Sequence, residues 1–147
     1  MTPRWHALYG FVFSIILIEF FNFSIIAGLI VFSSSILLDI DHYLLYLYKD
    51  KRICPIKAVK WNFEKRKNYL SKSKEERRKQ KLPYYLLHGV EFLIPVFILS
   101  FFFPPIYWVF LGIALHLFLD YIELMYYQEP LYQKFSQIFL FFENKRR

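Results

Sequence analysis

The chain has 147 residues, enough for one domain. Hydrophobic residues make up 56% of it and aromatic residues 22%, yet 19 Lys and Arg against 12 Asp and Glu leave a net charge of +7. That balance excludes disorder, and a single cysteine, Cys54, excludes a disulfide scaffold. Apolar and basic stretches are segregated along the chain, which argues against a soluble protein that binds nucleic acid and for an integral membrane protein.

The first apolar stretch runs from Ala7 to Tyr48. As one helix it would be roughly 60 Å long, twice the hydrocarbon core, so it must fold back. The polar-spotted segment Glu19-Phe20-Phe21-Asn22-Phe23-Ser24 is the place for the turn, predicting helices over 5–21 and 23–48. A signal peptide is the competing reading of the first, but no clean small-x-small cleavage site follows and the next span begins at once. A second pair is predicted over 84–103 and 106–127, divided by Pro104-Pro105. The expected fold is all-α: a bundle of four transmembrane helices forming a single membrane domain.

Between the pairs, residues 49–82 hold 14 Lys and Arg and four acids. Ser73-Lys74-Glu75-Glu76 fits a capping box opening a short helix that Pro83 follows. This loop suits contact with anionic lipid headgroups, with Trp61, Phe63 and Tyr69 reaching into the headgroup region, and equally a solvated charged loop. Four spans place the N-terminus, the loop and the C-terminus on one side, and the tight connections opposite carry no Lys or Arg. The positive-inside rule puts that side, with both ends, in the cytoplasm. After Glu129-Pro130, residues 131–142 carry Leu131, Phe135, Ile138 and Phe142 at helical spacing, too few to span, so an interfacial helix anchored by Lys145-Arg146-Arg147 is predicted.

Ionisable residues inside membrane spans are costly and mark candidate sites. Here they are His6, Asp39, Asp41, His42, His88, Glu91, His116, Asp120 and Glu123. All four histidines are included, one per predicted span, and counting residues inward puts the His and Asp groups in the same half of the bilayer. Asp39 and His42 share a helical face, as do His88 and Glu91, and His116, Asp120 and Glu123. Asp41 falls off its neighbours' face, so it either reaches a second metal or the helix distorts there. Mixed imidazoles and carboxylates suit Zn²⁺, with Mn²⁺ or Fe²⁺ as alternatives, and the number of groups leaves open one ion with a populated outer shell or two ions. Glu91 or Asp41, if free of metal, is the candidate proton carrier, and Glu123 a candidate base or outer-shell group. Ser33-Ser34-Ser35 reads as helix packing.

Trp5-His6-Ala7-Leu8-Tyr9-Gly10, Leu37-Leu38-Asp39-Ile40-Asp41-His42, Leu87-His88 and Gly112-Ile113-Ala114-Leu115-His116-Leu117-Phe118-Leu119-Asp120 resemble the bacterial and archaeal membrane-bound metal-dependent hydrolase family. That family's pattern is His-Ala-x-x-Gly, Pro-Asp-x-Asp-His, Thr-His-Ser and Gly-x-x-x-His-x-x-x-Asp, and it is similar in turn to zinc-dependent phospholipases C. Leu38, Leu87 and Gly89 depart from it. The resemblance implies a metal-binding set of His6, Asp39, Asp41, His42, His88, His116 and Asp120, and hydrolysis of a phosphoester or lipid-like substrate at the cytoplasmic face. A haem-binding electron carrier with paired axial histidines, a metal permease or storage bundle, and a non-catalytic scaffold are the alternatives.

Overall fold

A computed structural model describes residues 3–51 and 53–147. Arg52, one of the basic residues of the central loop, lies outside the described residues. In chain order the helices are α1 (Pro3–Phe21), α2 (Ile25–Leu37), α3 (Ile40–Asp50), α4 (Pro55–Leu70), α5 (Lys74–Lys79), α6 (Val90–Ser100), α7 (Pro104–Tyr126), α8 (Tyr132–Phe135) and α9 (Gln137–Arg146), and the described residues contain no strand.

Three stretches are long and apolar enough to cross a membrane: Pro3–Phe21, Ile25–Asp50 and Pro104–Tyr126. Phe11, Phe20, Ile25, Ile26, Leu29 and Phe118 are exposed along them, a surface that water does not tolerate and lipid does. The predicted turn between the first two is present. Asn22 takes the left-handed conformation (φ 54°), and Ser24 caps α2 by accepting from the Ala27 N–H at 3.1 Å.

One predicted span is present but interrupted, and another is shortened. The helix expected over 23–48 is broken at Leu38-Asp39, where the Asp39 N–H bonds to the Ile36 carbonyl at 3.0 Å instead of continuing the α-helical ladder to Ser35. The helix expected over 84–103 is α6 alone, 11 residues and about 16 Å long, about half a bilayer. Residues 84–89 form turns because their backbone groups go to side chains: Leu87 N–H to Asp41 at 2.5 Å, Tyr85 N–H to Gln137 at 3.0 Å. Pro104 opens α7 at its first turn, as expected.

α2 and α7 form the central pair, α1 packs on α2 and α6 on α7, around a core of Leu38, Ile113 and Leu117. Their close approach depends on small residues. A Cβ on Gly112 would fall on Ser34 Oγ and the Val31 carbonyl, and one on Gly10 would fall on Ser35 Oγ. Ser34 and Ser35 turn their hydroxyls back onto their own helix, donating to the carbonyls of Ile30 (2.8 Å) and Phe32 (2.7 Å), which fits the packing role expected of them.

The basic loop is more structured than expected. It holds α4, and α5 with the predicted capping box at Ser73 and Glu76. Arg66 pairs with Glu123, and Arg77 with Glu129 at 2.5 Å, so the loop docks on the end of α7. Tyr69 donates to Glu129 at 2.8 Å; burial and that carboxylate push its phenol up to about 12, keeping it a neutral donor. The segment predicted as one interfacial helix is two, interrupted at Ser136, and it grips the protein: the Asn144 amide exchanges two hydrogen bonds with the Leu82 backbone at 2.9 and 3.0 Å. Ile138, Phe139 and Phe142 stay exposed.

Candidate metal centre

The break between α2 and α3 shapes the centre in two ways. It releases the Ser35 carbonyl from the ladder, and that carbonyl accepts from His116 Nδ1 at 2.7 Å. It also brings Asp39 to the start of α3, where its side chain makes no cap bond and turns toward the histidines instead. On the facing side, Asp41 Oδ2 accepts from His88 Nδ1 at 3.2 Å and from the Leu87 N–H, fixing the irregular turn before α6.

These contacts decide both tautomers. A carbonyl and a carboxylate only accept, so His116 and His88 each carry a proton on Nδ1, and in the neutral rings Nε2 is a bare lone pair. The two Nε2 atoms face each other at 3.2 Å, in rings that are fully buried. Two neutral rings at that distance repel unless a proton or a metal ion lies between them. Nitrogens about 2.0–2.1 Å from a tetrahedral zinc ion are roughly 3.3 Å apart, so the spacing fits two ligands of one ion.

The surrounding groups obey the same spacing. His88 and His116 Nε2 lie 3.6 and 3.4 Å from Asp120 Oδ2, His6 Nε2 lies 3.5 Å from Asp120 Oδ1, and His42 and His116 Nε2 lie 3.6 and 3.9 Å from Asp39 Oδ1. These distances lie at or beyond the long end of hydrogen bonding and suit neighbouring ligands in a coordination shell. Neither ring nitrogen of His6, nor Asp39 Oδ2, has a hydrogen-bond partner among the described residues, although all are buried. Three overlapping groups can each hold an ion: His6, Asp39 and His116; Asp39, His42 and His88; His88, His116 and Asp120.

Six of the seven residues predicted as ligands thus converge. Asp41 stands behind His88 as its orienting carboxylate, because the helix distorts where its position off the face left that possibility open. Glu91 is not brought in: its carboxylate accepts from Ser136 Oγ at 2.5 Å and the Ile138 N–H at 3.1 Å, since His88 precedes the helix whose face it was expected to share. Glu123 is held by Arg66.

Sequence reasoning missed three contributors. The Ser35 carbonyl is backbone and invisible to composition. Lys134, whose Nζ lies 2.5 Å from Asp120 Oδ2, comes from the tail predicted to lie at the interface. Gln137 donates to the His88 carbonyl at 2.6 Å and accepts from Tyr85, so it braces the turn. No known family, curated protein or solved structure matches the chain.

Asp41→Asn tests the outer shell. It is expected to keep metal stoichiometry at saturation while weakening affinity about 10- to 100-fold, the usual cost of losing a histidine's carboxylate partner. Metal titration against a chelating dye measures it, and an unchanged affinity would remove Asp41 from this role.

Proposed function

We propose that the protein is a metal-dependent hydrolase of the cytoplasmic membrane face, acting on a phosphoester. The observation that carries this reading is the pair of bare Nε2 atoms of His88 and His116, held face to face at 3.2 Å by partners that can only accept. The motif resemblance described above leads to the same reading, and nitrogen and oxygen donors favour zinc, with manganese or iron as the other fits.

A divalent ion in this centre supplies a Lewis acid that activates water near neutral pH and stabilises charge on a phosphoryl oxygen. The protein's own groups set the rest. Four members are sealed in the interior (His6, His88, His116 and Asp120), whereas the side chains of Asp39 and His42 are 11% and 26% exposed, so substrate reaches the cluster from their side. Asp39 Oδ2, without a hydrogen-bond partner, is placed to take a proton from the attacking water. Lys134 brings a positive charge to the same opening, where a phosphoryl oxygen needs it. Arg4, the basic loop and the tail gather at this end, which by the positive-inside rule faces the cytoplasm.

Elemental analysis of detergent-purified protein, joined to phosphomonoester and phosphodiester reporters, tests the proposal. One or two metal ions per chain are expected, with turnover that a chelator abolishes and added Zn²⁺ or Mn²⁺ restores. Metal without turnover would favour storage or transport. Protein free of metal would instead make Lys134 the cation of a structural His–Asp network.

A further inference from the structure

A cavity of about 1620 Å³ opens between α4, the start of α1 and residues 80–85. It exceeds the roughly 300–1,000 Å³ of an ordinary small-molecule pocket. Its two ends differ in chemistry. Asp39, His42, Tyr85 and Lys134 form the inner end, which is the open side of the metal centre. Along the wall, α4 presents Ile56, Val59 and Phe63 on one helical stripe about 10 Å long, which Arg66 and Lys67 separate from Leu70.

That stripe is not core. Ile56, Val59 and Phe63 are 81%, 62% and 58% exposed, while Ala58 on the opposite face of α4 is buried and Trp61 packs edge-on against Tyr46. The chain therefore turns a continuous apolar strip toward an open space that begins at its most polar cluster. Charge completes the pattern. Seven Lys or Arg and four Asp or Glu line the cavity, an excess of three positive charges. Arg66 and Glu123 neutralise each other, and Arg4 and Lys81 have no ion-pair partner among the described residues.

We infer that this cavity binds an anionic amphiphile, a phosphate ester bearing a long alkyl chain, with its phosphate between His42 and Lys134 and its chain along Ile56, Val59 and Phe63. A nucleotide or a sugar phosphate would satisfy the inner end and leave the α4 strip against water; a neutral lipid would leave the basic rim unused. The assignment rests on the hydrolase reading for the chemistry at the phosphate end, and on α4 alone for the tail.

Binding of decyl phosphate, hexyl phosphate, inorganic phosphate and decyltrimethylammonium to amphipol-held protein, read by calorimetry beside metal content, tests it. Decyl phosphate is expected to bind at least tenfold tighter than hexyl phosphate, as burial of only part of four methylenes requires. Inorganic phosphate and the cationic amphiphile are expected to bind far more weakly. Val59→Asp combined with Phe63→Asp, both at exposed positions, should cost decyl phosphate tenfold or more while leaving metal content and melting temperature unchanged. Equal affinity for the two alkyl phosphates, or an unaffected double variant, would overturn the tail site and leave the metal centre standing. Equal binding of the cationic amphiphile would reduce α4 to a surface that adsorbs any lipid. Tight decyl phosphate binding by metal-free protein would support the cavity and overturn the hydrolase.

Discussion

Alanine at His88 or His116 is expected to release the metal, lowering affinity beyond the roughly 100-fold range of outer-shell changes. The reason lies in how the three candidate groups overlap: His88 and His116 each belong to two, whereas His6 and His42 belong to one. Either loss strips a donor and also removes a partner from a buried acceptor, the Ser35 carbonyl for His116 and, for His88, Asp41, which keeps the Leu87 N–H. Alanine at His42, whose ring is partly exposed and whose Nε2 lies 3.6 Å from Asp39 Oδ1, should cost less. Elemental analysis after dialysis against a chelator, run on these three single variants, checks the ranking. Equal retention across the series would detach the histidines from any metal.

Gly112→Ala is expected to destabilise the protein by about 3 kcal/mol, the upper end of overpacking effects, despite the roughly 1 kcal/mol by which alanine favours a helix over glycine. The added methyl meets Ser34 Oγ, the Val31 carbonyl and the Ser35 N–H at 3.0 Å, and two of these are backbone that cannot step aside. α2 and α7 must separate, and the Ser35–His116 hydrogen bond opens with them, so metal loss should accompany the fall in stability. Gly28→Ala is the control. Its methyl meets Cδ1 and Cγ1 of Ile18, a single side chain that can change rotamer, with no backbone closer than 3.7 Å, so the cost should be well below that of Gly112→Ala. Denaturant titration in detergent micelles compares the two; a mild Gly112→Ala would mean that the central pair tolerates wider spacing.

What could be read from the residues, and what could not, divides along a physical line. α1, the start of α2 and α7 follow from long apolar runs bounded by Asn22, Ser24 and Pro104, signals that act within a few residues. The capping box at Ser73 is equally local. The meeting of imidazoles with carboxylates was readable because charge inside an apolar span has few tolerable arrangements. The break at Leu38-Asp39 has no proline or glycine to announce it. It exists because Ser35, Asp39 and Asp41 find partners on α7 and in the turn at His88, all distant in sequence. The same holds for residues 84–89, apolar enough to read as helix yet held open by Asp41 and Gln137. Counting residues along an assumed helix still put His88 at the correct level, while misplacing Glu91, because depth tolerates an irregular backbone and facial register does not.

The brace that Gln137 and Asn144 apply to residues 82–88 has a consequence for how the molecule is made. During synthesis His6, Asp39, His42 and His116 are all translated before Gln137 and Asn144. At roughly 5–20 residues per second, these two follow His116 by a matter of seconds. The turn that carries His88 therefore gains its side-chain brace only once the final stretch of the polypeptide has been made, so the approach of His88 to His116 is the last part of the cluster to be secured.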